Sequence, residues 1–536
     1  MNVEKNITFV VPVHGQSGLY LSRCLNSILD NQDYPYKDAI VVFDGDDQMK
    51  GALKQEEYFK DDDRVQMFHV EHGGAPKARN FGLSKAKGDY VCFYDCDCAL
   101  QAGGIRTWIQ AFDDHPDCGF VYGPYRYFVK EQYNMGIPSK DFDPWELTCN
   151  NYISSMNPIK RELCPKWDET LEGLQDWDFW LKVAGAGIKG HKLNEWLTLT
   201  EPPTIDSISG KTHVDWIAKK MAVQRANDIP IRDIAITSIG APFQSKRRAK
   251  ILGADYQDPE MLTLKPHEYK GIICMGYYVE SSVHPYTIFQ QANGAKKIIH
   301  WIGTDVMQLS LKKFVEVKVL REWLPKAVDR MFVNAPWLKA EMAEMGIETE
   351  LLYCPIESEP YKITPFPEEF TLAVYRSETN PMHNELFMLD VAKSCPDIKW
   401  KFFGGDRPHT LLGVPHNVEI LGTIPENEVP KLIESTSAIV RVTVHDGFPA
   451  SVAEWVMGGR PFISNLPDMP FNRHVAVKPD EKNYIMCKER VIKKIRNLQR
   501  NMGKITMKEQ ETARKYYVDL LSPETYRKRI AEVVHG

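Results

Sequence analysis

The stretch GGAPKARNFGLSKAKGDYVCFYDCDC at residues 73–98 decides how the first part of the chain reads. It passes from a helical segment into an apolar run, Tyr90–Tyr94, and stops at two carboxylates, Asp95 and Asp97. Upstream lie two more apolar runs, Ile7–Val13 before His14-Gly15 and Ala39–Phe43 before Asp44, Asp46 and Asp47. Between them Leu21, Leu25, Ile28 and Leu29 recur at i, i+4, i+7 and i+8, the period of one helix face. Strand, helix, strand, helix, strand predicts a parallel α/β sheet whose functional loops lie at the strand carboxyl ends. Both acidic clusters fall at such ends and are expected to face one crevice.

The whole chain has 536 residues, enough for about three or four folding units. Its 43% hydrophobic and 26% charged residues exclude a disordered or collagen-like chain. A net charge of -6 argues against a general electrostatic grip on nucleic acid or an anionic membrane. No apolar run approaches the roughly 18–20 residues of a membrane span. The opening MNVEKNITFVVPVHG carries no signal-peptide pattern. Eleven cysteines without paired CxxC spacing indicate neither a disulfide framework nor a zinc cluster. The expectation is a multidomain, soluble, cytoplasmic protein.

A fresh strand–helix rhythm begins after 224–232. Strand-like runs start at Ile234 and recur at Gly271–Met275, Lys297–Trp301, Arg330–Asn334, Leu351–Cys354, Thr371–Tyr375, Lys399–Phe403, Val418–Leu421, Ala438–Val444 and Pro461–Ser464. They imply two further Rossmann-like units joined through PIESEPYKITPFPEEF, residues 355–370. The last thirty or so residues read as a solvated, charged helix. Expected domains are 1–225, 230–355 and 356–536.

Two carboxylates one residue apart at a strand end repel each other unless a divalent cation or its phosphate complex neutralises them. Their hard oxygens suit Mg²⁺ or Mn²⁺. On spacing alone an acidic surface turn is the plainer reading. The surrounding motifs add to the case. Ile7–Gly15, the helix with Cys24–Ile28, VVFDGDD at 41–47 and the Ala78-Arg79-Asn80 stretch before Asp95-x-Asp97 resemble the nucleotide-sugar half of family 2 glycosyltransferases, of GT-A fold. Trp167-Asp168-Glu169 and Leu174–Leu181 look like that family's acceptor-side segment. The resemblance spans roughly residues 6–190.

Position by position, the resemblance implies that Asp44 contacts the nucleotide base and that Arg79 lies near the nucleotide. It puts Asp95 near the ribose, Asp97 on the metal and Asp176 in the role of catalytic base. The family's usual Glu-Asp pair reads Gln175-Asp176 here. Read locally, Asp176 is equally a helix-start carboxylate serving backbone N–H groups. His213 sits where the fold often supplies a third metal contact, and a surface histidine is the other reading; His14 and His72 are weaker candidates. In-line attack by a hydroxyl, deprotonated by a carboxylate, would invert the anomeric carbon.

In the second half, Arg441-Val-Thr-Val-His445-Asp446-Gly447-Phe448-Pro449 leads into Ala450–Glu454 and on to Gly458-Gly459-Arg460-Pro461. A strand, a glycine turn and a helix start suit a diphosphate, because the helix N-terminus carries free N–H groups. With His300–Asp305 and Val333–Leu338, the set resembles the donor-binding half of family 4 glycosyltransferases, of GT-B fold. Asp446 and Glu454 match that family's acidic pair, and Asp446, Gly447, Phe448, Glu454 and Arg376 are the donor-binding candidates. The family's Lys after Arg376 is missing, so Arg376 serves the diphosphate or is a surface guanidinium. His300 and Asp305 either face a cleft or are buried structural residues.

The fold class expected is thus α/β, a GT-A nucleotide-diphospho-sugar transferase domain followed by a GT-B twin Rossmann-like module. The leading reading is a bifunctional glycosyltransferase moving sugars from nucleotide-sugar donors to a glycan or other hydroxyl acceptor. Its first half would be inverting with Mg²⁺ or Mn²⁺, and its second retaining with no cofactor. One alternative leaves catalysis to the GT-A half, with the GT-B half binding acceptor or partner. Another is glycosylation of bases in DNA, for which Lys246-Arg247-Arg248 and Lys250 would form the basic cleft; a solvated face is the plainer reading of that run.

Overall fold

The computed structural model describes residues 5–15, 18–45, 59–128, 136–202, 216–238, 242–257, 269–276, 289, 292, 294–310, 322–376, 381–405, 413–467, 469–473, 475 and 484–536. Strand Ile7–Val13 is buried at every position, as a continuous apolar run covered on both faces must be. It pairs in parallel with Lys37–Asp44 on one side and Tyr90–Phe93 on the other. The whole sheet runs Gly190–Lys192, Phe120–Tyr122, Pro158–Lys160, Tyr90–Phe93, Ile7–Val13, Lys37–Asp44, Val65–Val70. Pro158–Lys160 is antiparallel to both its neighbours, so the sheet is mixed where a parallel one was expected. A smaller sheet, Cys98–Leu100, Thr198–Thr200, Tyr125–Tyr127, Gly136–Ile137, starts immediately after the acid pair.

Helix Ala75–Lys85 lies on strand Ile7–Val13 at Gly82. A Cβ there would sit 2.3 Å from Val10 Cγ1, so only glycine permits this approach. The helix starts after Gly74, whose φ of 86° is left-handed, and has Pro76 in its first turn.

The chain divides into two units, Met1–Ile231 and Arg232–Gly536. The second unit contains two wholly parallel sheets. One runs Asp255–Tyr256, Ile234–Ser238, Gly271–Met275, Lys296–Trp301, Arg330–Val333, Glu350–Leu351. The other runs Val418–Gly422, Lys399–Phe403, Thr371–Tyr375, Ala438–Arg441, Phe462–Ser464. The connection at 355–370 is packed rather than loose: Ile356 and Tyr361 are buried, and Ile356 N donates to Leu521 O.

The terminal helix Pro523–His535 is not solvated all round. Tyr526, Ile530 and Val534 form a buried stripe at i, i+4 and i+8. Its Tyr526 hydroxyl meets His300 Nδ1 at 3.0 Å and its Arg527 Nε donates to Ile251 O at 2.6 Å. The basic run is likewise no solvated face: Arg247 and Arg248 are buried. All eleven cysteines are free thiols. Among the described residues, no helix is long and apolar enough to cross a membrane.

Candidate active site

Strand Tyr90–Phe93 ends in a turn closed by Cys98 N donating to Asp95 O at 3.0 Å. Cys96 points into the core between Asp95 and Asp97, which leaves the two carboxylates partly open on one side. Asp95 Oδ1 accepts from Arg79 Nη2 at 2.8 Å and Oδ2 from Ser155 Oγ at 3.3 Å. Asp97 has no such cation: its carboxylate meets only the Cys98 thiol, at 3.5 Å, among the described residues. Burial and the neighbouring Asp95 charge push its carboxyl up to about 6. Among the described residues, the half-buried carboxylate pair has one guanidinium bonded to a carboxylate, Arg79 on Asp95, and is short of positive charge. Oxygen donors in that state fit a hard divalent cation, which Asp97 could hold.

Arg79 is buried in helix Ala75–Lys85, with its guanidinium 4.4 Å from the centre of the Trp167 ring. Its neighbour Asn80 clamps the same residue, accepting from Trp167 N and donating to Trp167 O, each at 2.9 Å. The Arg79-Asn80 dipeptide therefore ties Asp95 to the segment leading to Asp176.

Asp176 lies in the first turn of helix Gln175–Gly185. Leu174 before it is held at φ 56°, left-handed backbone that a leucine rarely adopts and that collects at functional sites. Asp176 Oδ2 accepts from Asn151 Nδ2 at 2.9 Å, and Oδ1 from Trp177 N at 3.0 Å. Burial raises its carboxyl above the ordinary aspartate range, opposed by the Asn151 bond and the Arg79 charge. Arg79 thus acts on both Asp95 and Asp176, and the segment 151–155 touches both carboxylates through Asn151 and Ser155. Asp176 accepts a helix-start N–H, as the local reading of a helix-start carboxylate expected.

Asp44 ends strand Lys37–Asp44. Its buried carboxylate accepts from Gly73 N at 2.7 Å, Gly74 N at 2.9 Å and His72 Nδ1 at 3.0 Å. His14 donates from Nδ1 to Asp44 O at 2.7 Å and stacks on His72, ring centres 4.4 Å apart. The donor atoms of His14, Asp44 and His72 lie within 4.8 Å of one another, a metal-like spacing that these hydrogen bonds already account for. Asp46, Asp47 and His213 lie outside the described residues.

In the second unit the candidates are paired within their own chain. Arg376 is fully buried, its Nε 2.9 Å from Glu385 and its Nη1 donating to Gly405 O at 2.6 Å. Asp446 Oδ2 accepts twice from Arg441, at 2.9 and 2.6 Å. Glu454 accepts from Arg247 Nη1 at 2.6 Å. Gly447 meets Ile302 and Asn334 so closely that a Cβ would fall 1.9 Å from Ile302 O. Phe448 is buried and donates its N–H to Asn334 Oδ1 at 3.3 Å. His300 donates from Nε2 to Leu352 O at 2.8 Å, and Asp305 accepts from Gly303 N at 2.7 Å; both are buried structural residues.

Sequence reasoning singled out neither Asn151 nor Ser155, which carry no signal beyond their place between the motifs; Asn80 and Trp167 stood within the motifs without a role of their own. It also missed Arg23, which donates from Nη2 to Asp97 O and from Nη1 to Glu201, each at 2.7 Å.

Residues 8–162 match the family model described as Glycosyl transferase family 2. Glycosyltransferase GlyG of Streptococcus pneumoniae is 35% identical over 151 residues, which are 28% of this chain and 49% of that protein. Glycosyltransferase GlyA of the same organism is 35% identical over 107 residues, 20% of this chain and 15% of that protein. The chain therefore spans about half or less of these curated relatives. Among solved structures, S. aureus TarS 1-349 in complex with UDP-GlcNAc aligns at 18% identity and TM-score 0.33, covering 41% of this chain and 66% of that one. Sucrose-phosphate synthase from Thermosynechococcus elongatus aligns at 12% identity and TM-score 0.45, covering 56% and 98%. The family match falls on the strands and turns that hold Asp44, Arg79, Asp95 and Asp97: the first unit carries a family 2 glycosyltransferase domain.

Proposed function

We propose that the first unit transfers a sugar from a nucleoside diphosphate sugar to a hydroxyl of a glycan or other acceptor, inverting the anomeric carbon. The observation that carries this reading is that Arg79 bonds Asp95 and acts on Asp176, with Asp97 beside Asp95. Asp176 takes the proton from the acceptor hydroxyl as its oxygen bonds to the anomeric carbon. The bond from that carbon to the diphosphate oxygen breaks, and the electron pair leaves with the nucleoside diphosphate. The raised carboxyl of Asp176 suits a base working nearer neutrality, and Asn151 fixes which oxygen faces the acceptor. Asp95 orients the ribose, and Asp44 acts through the 72–74 turn that it holds against the base. A divalent cation on Asp97, Mg²⁺ or Mn²⁺, would supply charge stabilisation for the leaving diphosphate.

For the second unit, its two parallel sheets support the GT-B reading with divisions near 230–355 and 356–536. A specific observation favours the binding-module alternative over a second transferase. Glu454 is neutralised by Arg247 and Asp446 by Arg441, so neither carboxylate is open to a donor while these pairs hold. The burial of Arg247 and Arg248 leaves Lys246 and Lys250 to support the basic cleft on which the DNA reading rests. A reducing, cytoplasmic setting is supported by the free thiols.

The test is a panel of sugar nucleotides offered to the full chain with Mg²⁺, Mn²⁺ or a chelator, read as sugar transfer and donor hydrolysis. Turnover of at least one donor with cation and none with chelator is expected. Equal turnover under chelator would overturn the metal-dependent reading.

A further inference from the structure

A cavity of about 410 Å³ opens in the second unit between the end of helix Ala450–Met457, strand Phe462–Ser464 and the start of helix Met507–Leu520. That volume lies within the range of small-molecule sites. Its walls are largely apolar, with Val456, Phe462, Ile505 and Ala513 among them, and its other face carries Arg460, Arg473 and Lys508.

Arg460 is 1% exposed. Its guanidinium donates to the carbonyls of Ile433, Thr364, Pro365 and Glu434 and to the Thr364 hydroxyl, at 2.7–3.2 Å. All five acceptors are neutral, and among the described residues no carboxylate lies within ion-pair distance of it. A buried charge is ordinarily paired, because desolvation is costly. Arg473 and Lys508 on the same wall likewise have no carboxylate at ion-pair distance among the described residues. The one acidic side chain in the lining, Glu509, already accepts from Thr506 N and Oγ1 at 2.8 and 3.0 Å. The cavity is therefore apolar in body and net cationic.

Its mouth is built with an aromatic on strained backbone. Phe471 is 47% exposed and sits at φ 61°, which a side chain this large rarely adopts. The turn is held in that state from both sides. Asn472 accepts from Ser464 N at 3.0 Å and donates to Ser464 O and Leu466 O at 3.2 Å each. Tyr517 OH donates to Pro470 O at 3.0 Å. Strain that is over-determined in this way collects at ligand clamps.

The geometry points to a binding site for a small organic anion with an apolar body, its chain or ring between Phe471 and the apolar wall and its acid group on Arg473 and Lys508, with the buried Arg460 charge behind them. The site belongs to the second unit and does not depend on the transfer chemistry of the first.

The test uses the full chain and 1-anilinonaphthalene-8-sulfonate as a fluorescent probe, displaced by decanoate, by uncharged decanol and by inorganic sulfate. Decanoate should displace the probe at a concentration at least about tenfold below decanol, the scale of one charge-assisted contact, and sulfate should fail. The R473E/K508E variant, altered only at the cavity rim, should weaken decanoate about tenfold or more with its unfolding midpoint unchanged. Ala513→Phe, which fills the space, should abolish probe binding. Equal displacement by decanol, displacement by sulfate, or unchanged decanoate affinity in R473E/K508E would each overturn the proposal. So would probe binding that survives Ala513→Phe, or binding confined to anionic vesicles with no effect of free decanoate.

Discussion

Asp97 is the residue at which burial and function oppose each other. Its carboxyl is pushed up to about 6 by burial and by the Asp95 charge beside it. Asp97→Asn removes the charge and keeps the shape, so the fold should stand while metal-dependent donor binding is lost. Calorimetry with and without chelator reads this directly; unchanged donor affinity in the variant would remove Asp97 from the site. At His383 the balance runs the other way. Burial and the Arg441 guanidinium hold its imidazole down to about 3, beside the Tyr375 ring at 5.2 Å. Its folded pKa lies below the unfolded value near 6.5, so its contribution is complete above that pH and is lost as pH falls towards 3. Between pH 6.5 and 5 the loss is about 2 kcal/mol. Denaturant midpoints over that window should fall more steeply for the wild type than for His383→Asn; parallel slopes would contradict the assignment.

At the scale of elements, helix Ala75–Lys85 is the piece that turns packing into chemistry. Gly82 seats it on Val10, and one turn earlier Arg79 and Asn80 reach Asp95 and Trp167. Gly82→Ala forces the helix off the strand, an overpacking cost of about 1–3 kcal/mol. It should lower the unfolding midpoint and weaken donor binding together; a variant with lower stability and unchanged donor affinity would separate Arg79 from the site. The buried strands Ile7–Val13, Lys37–Asp44 and Tyr90–Phe93 were legible in the sequence because both faces are covered and the apolar run is unbroken. Val65–Val70 was not, since an edge strand with half-exposed faces leaves VQMFHV without a clear period. Asp95, Asp97 and Asp176 were legible as motif positions. The bonds that join them through Asn151 and Ser155 were not, because contacts across 60 and 25 positions leave no local pattern. Arg247 shows the opposite failure: in a basic run it reads as surface, yet its partner Glu454 lies 207 positions away.

Across the whole molecule, two units each contain parallel strands and carboxylates at strand ends, but only the first leaves its acid pair short of positive charge. Removing one partner of a buried ion pair costs about 3–5 kcal/mol. Glu454→Ala, which takes the nearer carboxylate from the buried Arg247 guanidinium and leaves it Glu426 at 3.1 Å, should therefore lower the unfolding midpoint of the full chain without changing its donor affinity. A weakened donor with no loss of stability would instead make the second unit a working donor site. The account as a whole rests on Asp176 as the base of a transfer that the first unit carries out. The most direct measurement is single-turnover sugar transfer by full-length Asp176→Asn, with donor occupancy read in the same samples. The account predicts full donor occupancy and a transfer rate lower by about 10²–10⁴-fold, the scale of a lost general base. Wild-type transfer at full occupancy would contradict it.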